Sequence, residues 1–523
     1  MADRLRGDDS GRQPGATPVS RRRWIWLLLG VVPAFTLLVT ANSAGYRFGI
    51  ADQAFYIPAI QRALDPASFP HDTAVVAPQS ALLASDQVIA WMMTRLGLSL
   101  QAIFLAGYLL TCALFALAVE RIGTTLYRST LATWTLLAAL TLRHRIADTG
   151  VNTFEGSFHP RVLTFALGLA ALAALLRRRP AWAVACVGLG FVVHPTTALW
   201  FALWLAGAGL VYPRGRRWVL GLGAAALPIG AWMLWAGPLA NSVAVMDAAW
   251  MAPLLTKDYL FPTSDWGAST WMTNAIAPAV LAVVFSVRAR RGLVQAEERG
   301  LFVGALVLLA VFAVSLPFIA ARVALAVQLQ TSRVLWPVEF LATVYLVWAL
   351  VDAHRSGAEA GRPASWARHV AVGVAVTITV AAVARGTFTL RIEHQRPLFS
   401  YGLPPTAWTD VGAWASAQTP LDAHFLADPG HAWRYGTSFR VTARRDVFLE
   451  SVKDAAMATY ARPIALRVSE RTEAIGDFSA LSPERASDLA SRYDLDFLVT
   501  DRAFPFPIAF ANAQFTVYAL PRR

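Results

Sequence analysis

Residues 46–72 read YRFGIADQAFYIPAIQRALDPASFPHD and follow directly on the first long apolar run of the chain, residues 24–41. A run of about 20 apolar residues is long enough to cross a bilayer. The quoted stretch is therefore the first segment to emerge from the membrane, with Asp52 only a few residues beyond it. An acid at that place suggests chemistry at the membrane surface.

The rest of the chain agrees with a membrane setting. Of 523 residues, 56% are hydrophobic and only 15% charged, a composition outside the range of soluble globular domains. Ten further apolar runs occupy residues 100–119, 129–142, 162–176, 181–193, 196–212, 218–236, 271–287, 301–319, 335–351 and 369–384. Several are short and need flanking residues or burial in protein to span. The expectation is an α-helical polytopic membrane protein with about eleven transmembrane helices, over residues 21–385.

The net charge of +13 would suit a nucleic-acid binder if it formed one patch. Instead the arginines fall in short groups at residues 21–23, 121 and 128, 177–179, 214–217, 288–291 and 355–368. These are alternate connections between the apolar runs, the pattern of cytoplasmic loops. Nucleic acid is thus not an expected partner. The predicted topology is a multi-pass inner-membrane protein with its N-terminus in the cytoplasm and loops 42–99 and 237–270 outside. Small residues at Ala41, Ser43 and Ala44 also fit a signal-peptide cleavage site, although the first apolar run is long for a signal core. The polar leader 1–20 reads as disordered. Cys112 and Cys186 lie inside apolar runs and read as packing residues.

An odd number of spans carries residues 386–523 outside, where composition becomes mixed. Residues 424–427, 447–450, 496–500 and 514–520 read as strands, and residues 406–417 and 482–493 as helices. Ser482, Pro483 and Glu484 supply a cap, a first-turn proline and an acidic first turn. A small exterior α/β domain is expected. No repeat at a fixed period is present, which weighs against an inverted-repeat transporter.

Ionisable residues near membrane segments are expensive and mark function. On the outer side they include Asp52, Asp65 and Asp72, then Arg143, His144, Arg145, Glu155, His159 and Arg161 around FEGSFHPR, His194 in HPTT, and Arg322, Arg333 and Glu339 around the tenth run.

An acid soon after the first span within DQAFYIPAIQRALDPASFPHD, many further spans and an exterior C-terminal domain together resemble the GT-C superfamily of integral-membrane glycosyltransferases. Aminoarabinose transferases, protein O-mannosyltransferases and oligosaccharyltransferase catalytic subunits belong to it. The resemblance implies a sugar donor carried on a polyprenyl phosphate within the membrane lipid, and transfer to an exterior acceptor hydroxyl or amine. Asp52 matches the first-loop acid and would act as general base; an aspartate directly before a helix is also a favoured N-cap. Several relatives carry two adjacent acids there, whereas this chain has Gln53, so Glu155 from another loop is the candidate second acid. Asp52, Glu155 and His159 are the groups that could hold a divalent metal ion, though hard-cation sites generally use more oxygen ligands.

A leaving phosphate calls for cations, and arginine matches its oxygens with a planar fork. Arg333 is the first choice, with Arg161 and Arg322 behind it and His159 and His194 as further substrate-binding candidates. Only two lysines occur, Lys257 and Lys453, so a bias toward arginine in itself argues little. The competing readings are a transporter or flippase of a lipid-linked or anionic substrate, and a noncatalytic membrane scaffold.

Overall fold

The computed structural model describes residues 21–521 apart from 83, 143, 238, 241 and 356–364. The leader 1–20, Arg143 and most of the basic connection 355–368 lie outside the described residues, as does the side chain of Arg214. All eleven apolar runs are helical, because a backbone in an apolar setting must satisfy its own polar groups. Seven of these helices are long and apolar enough to cross a membrane. They are Arg21–Asn42, Leu100–Leu126, Gly215–Trp235, Ala268–Arg290, Ala296–Ala320, Ala324–Arg355 and Trp366–Glu393. The other four, Thr130–Thr141, Pro160–Leu176, Pro180–Val193 and Pro195–Val211, are shorter. Three of the four begin on a proline, whose fixed φ and missing N–H suit the first helical position.

An aromatic spine holds the bundle together. Phe115 packs on Phe35, Phe154 and Phe165, and Phe165 stacks on Trp336 with ring centroids 3.8 Å apart. The first helix is built into this packing. Its Thr40 hydroxyl lies 2.8 Å from that of Tyr108, and Asn42 donates to Ala382 O and accepts from Arg385.

The basic connections meet at one end of the bundle. There Arg23 pairs with Glu120, Arg178 with Glu297 and Arg288 with Glu298, and Asp352 accepts from the backbone of Arg128. The first loop and the C-terminal domain occupy the other end. That loop forms helices Gln53–Leu64, Thr73–Leu82 and Ala84–Leu96, the last exposing Val88, Trp91 and Leu96.

The C-terminal domain is a five-stranded mixed sheet in the order Asp446–Val447, His424–Leu426, Phe497–Thr500, Thr516–Ala519, Ile508–Ala511, parallel over the first three and antiparallel over the rest. Strand Ile508–Ala511 was not legible in the sequence, and the strand read at 447–450 is only the pair Asp446–Val447, since helix Ser451–Ala458 follows at once. Helices Ala407–Gln418 and Pro483–Tyr493 cover the sheet, the second capped by Ser482, which accepts from Arg485 N–H.

Several contacts dock this domain on the first loop. Tyr46–Arg47 pairs in parallel with Phe399–Ser400. Thr437 donates to Gly49 O. Asp72, fully buried, accepts from Arg440 Nε at 2.8 Å and Arg467 Nη2 at 2.6 Å.

Candidate active site

Asp52 sits directly before helix Gln53–Leu64, where an aspartate normally caps, but its carboxylate makes no capping hydrogen bond. The chain reaches it through Ala51 in the left-handed region, at φ 52°, a conformation that costs energy for a residue with a Cβ. The side chain turns to other partners. Oδ2 accepts from His159 Nε2 at 2.9 Å, and Oδ1 lies 3.2 Å from Lys453 Nζ. A third of the Asp52 side chain stays open.

Gln53, where several relatives of the resembled class have an acid, is a buried structural tie. It accepts from Gly49 N–H and donates to Phe158 O. The loop before helix Pro160–Leu176 is thereby strapped to the first loop, and Arg47 N–H donates to Gly156 O at 2.7 Å. A Cβ on Gly156 would collide with the carbonyl oxygens of Ser43 and Gly45, so this close approach requires glycine.

His159 caps its own helix through Nδ1, which accepts from Arg161 N–H. That bond assigns the proton to Nε2, the atom facing Asp52. The Tyr56 hydroxyl lies 3.2 Å from Nδ1. Arg161, in the first turn of the same helix, donates through Nη2 to Glu155 Oε1 at 2.6 Å, while its Nε has no hydrogen-bond partner among the described residues. Glu155 and His159 share no helical face, since the segment between them is irregular.

Burial alone would raise the pKa of Asp52. Lys453 first, then His159 and Arg161, outweigh it and hold the carboxyl group well below the usual carboxylate range.

Arg333 stands within electrostatic reach of Asp52, Arg161, Tyr259 and Tyr460. Its one hydrogen bond is a long one, Nε to Thr149 O at 3.5 Å, which leaves both outer nitrogens of the fork without a protein partner among the described residues. His194 caps helix Pro195–Val211 through Nδ1, which accepts from Thr197 N–H. Burial, then the charges of His159, Arg161 and Arg333, push its pKa well below the usual value, so its ring is neutral. Arg322 does not join them. It is exposed, its carbonyl accepts from Met246, and its side chain makes no hydrogen bond or ion pair with the group. Its left-handed φ of 58° marks it as the turn that ends helix Ala296–Ala320. Glu339 pairs with His144, Nδ1 to Oε1 at 3.1 Å.

The donor set does not fit a resident divalent ion in this arrangement. Both Asp52 oxygens face His159 and Lys453, and Glu155 faces Arg161, so a metal would have to displace an ammonium and a guanidinium. No group of three His, Cys, Asp or Glu side chains among the described residues could hold one.

Several members escaped sequence reasoning. Lys453 arrives from helix Ser451–Ala458 of the C-terminal domain, its ammonium 4.9 Å from the centroid of the Phe55 ring. Lys257 donates to Val452 O at 2.8 Å, and burial followed by the Lys453 charge pushes it down to about 8. The hydroxyls of Tyr259 and Tyr460 have no hydrogen-bond partner among the described residues, and both rings lie within electrostatic reach of Arg333 and Asp52. One signal was available: of 46 basic residues only two are lysines; Lys453 pairs with Asp52, and Lys257 holds the backbone next to Lys453.

No family model matches this chain, and no curated protein matches it. The solved structures to which it is similar include oligosaccharyltransferases. In particular, the Archaeoglobus fulgidus oligosaccharyltransferase in its apo form has 13% identity over 92% of this chain and 70% of that one, with a TM-score of 0.47. The same enzyme tethered to an acceptor peptide containing the NVT sequon has 14% identity over 91% and 69%, TM-score 0.46. The archaeal oligosaccharyltransferase AglB from Archaeoglobus fulgidus, in complex with an inhibitory peptide and a dolichol-phosphate, has 13% identity over 92% and 70%, TM-score 0.44.

Proposed function

We propose that this chain is a GT-C-type glycosyltransferase that moves a sugar from a polyprenyl-phosphate donor to an acceptor at the outer face of the membrane, with the arginine-rich end of the bundle in the cytoplasm. The observation that supports the reading is a partly open carboxylate, Asp52, within electrostatic reach of a guanidinium, Arg333, whose outer donors have no protein partner among the described residues. A base and a phosphate clamp are the two groups such a transfer needs.

In the reaction the acceptor O–H or N–H gives its proton to Asp52. The acceptor atom bonds to the anomeric carbon as the bond from that carbon to the phosphate oxygen breaks. The electron pair leaves with the phosphate, and Arg333, helped by Arg161, meets the added negative charge. His159 orients Asp52 through Nε2–H. Tyr259, Tyr460 and the Nε2 side of the neutral His194 ring offer hydrogen bonds to sugar hydroxyls.

Mass spectrometry of lipid and glycan extracts from cells with and without the protein tests the class. Loss of the protein is expected to leave a polyprenyl-phosphate sugar accumulating and one glycan missing. Unchanged lipids and glycans would overturn the proposal.

A further inference from the structure

We propose that Lys453 is an exchangeable counter-ion: it pairs with Asp52 in the resting chain and moves to the phosphate of the lipid donor, which frees Asp52 Oδ1 for the acceptor. The identity of that anion rests on the glycosyltransferase reading above.

The cations of the site are held in different ways. Arg161 is buried, locked by its 2.6 Å bond to Glu155. Lys453 is a point charge on a flexible stem, with a single 3.2 Å contact to a carboxylate that is itself a third open. The backbone beneath it is pinned on both sides. Val452 O accepts from Lys257, Ser451 N–H donates to Pro429 O, and Asp454 is held by both outer nitrogens of Arg440. Only the side chain is left to move, and it lies on the face of Phe55, a surface that attracts a cation without a directional bond.

Charge movement during transfer gives this freedom a purpose. As Asp52 takes the acceptor proton it becomes neutral, and Lys453 loses its counter-ion. In the same step the phosphate changes from diester to monoester and gains negative charge. A cation already on the phosphate meets that added charge, whereas one fixed on Asp52 would be stranded beside a neutral acid. While Lys453 stays on Asp52, the carboxylate remains a weak base. Donor binding would remove that restraint, so base strength would develop only when there is a donor to attack.

The two-lysine composition makes the exchange observable. Reductive methylation with ¹³C-formaldehyde before reconstitution keeps the charge and gives one NMR signal for each of Lys257 and Lys453 beside that of the N-terminal amine, with Lys453→Gln assigning its own. The probe is undecaprenyl phosphate added to the full chain in nanodiscs, with undecaprenol as the uncharged control, and native mass spectrometry reports whether the lipid is bound. The expected result is that undecaprenyl phosphate, but not undecaprenol, moves the Lys453 signal, as does Asp52→Asn without lipid, and that Lys453→Gln binds the probe at least tenfold more weakly. Bound probe with an unmoved Lys453 signal would overturn the exchange and leave the transferase reading standing. Failure of the probe to bind would overturn both.

A second readout is the pH profile of transfer in membranes. The charged and titratable groups around Asp52 are His159, Arg161, Tyr56 and Lys453, with Lys257, Arg333, Tyr259 and Tyr460 farther off. Of these, only Lys453 is changed in Lys453→Gln: its acid limb in kcat/KM, which reports the donor-free enzyme, is expected at higher pH than in the wild type, and its limb in kcat, which reports the donor-bound enzyme, is expected in the same place. An equal shift in both would contradict the exchange, as would no shift in kcat/KM.

Discussion

Asp52 and Asp72 lie on the same first loop, and both are held by cations from the C-terminal domain, but the two pairings differ in kind. Asp72 is fully buried and shared between Arg440 and Arg467, with backbone N–H of Val447 also on Oδ2. Asp52 is a third open and meets one lysine and one histidine. Saturation by rigid guanidinium forks makes a latch between the domains. Incomplete pairing by a flexible ammonium leaves the carboxylate open to a further partner, as the proposed role of Asp52 requires. The latch and the site share the short segment between Phe439 and Asp454, so the latch also sets where Lys453 can reach.

Substitutions should separate the two roles. Asp52→Asn is expected to lower transfer by about 10²- to 10⁴-fold, the usual contribution of a general base, with thermal unfolding unchanged; equal loss of stability would make it a second latch. Asp72→Asn should act first on stability. Arg440 keeps Asp454, but Arg467 loses its carboxylate partner; breaking a buried pair costs about 3–5 kcal/mol, read as domain loosening in hydrogen exchange over residues 431–471, and unaltered exchange would break the comparison.

Arg333→Ala removes a charge-assisted contact to phosphate worth about 1.5–3 kcal/mol. Use of the lipid donor should weaken about ten- to a hundredfold, and an unchanged apparent donor affinity would argue against a clamp there. The smallest effect concerns pH. Burial, and then the Asp72 charge, raise Asp446 to about 7, above its unfolded value, so the stability it adds is present at low pH and is lost as pH rises through about 7. The contribution of Asp72, whose pKa is depressed against the pull of burial by Arg440 and Arg467, is constant in that range and is lost only in acid. His424, pushed down to about 3 by burial, opposes folding only below about pH 6.5. The melting temperature of the wild type relative to Asp446→Asn should therefore fall between about pH 5 and 7 and level off above pH 7. A difference flat across that window would show that burial and the Asp72 charge do not raise Asp446.

Much of the helical layer was legible because apolar length is a local property. Each run became a helix, including Pro160–Leu176 and Pro195–Val211, whose starts are written as His159–Pro160 and His194–Pro195. Whether the short ones span depends on packing that hydropathy does not encode. The loop half of the site was also legible, since FEGSFHPR keeps Glu155, His159 and Arg161 within seven residues. Lys453 was not, because its pairing with Asp52 joins positions 401 apart in sequence and follows only from the docking of a separate domain. For the same reason Arg322, a neighbour of Arg333 in sequence, looked equivalent to it, although a helix end turns it to the surface.

The most direct test of the central claim is the lipid profile of cells in which the only copy of the protein carries Asp52→Asn, with membrane levels matched to the wild type. The expected result is accumulation of the same polyprenyl-phosphate sugar that appears when the protein is absent. A profile indistinguishable from the wild type would show that transfer proceeds without this carboxylate and would contradict the account.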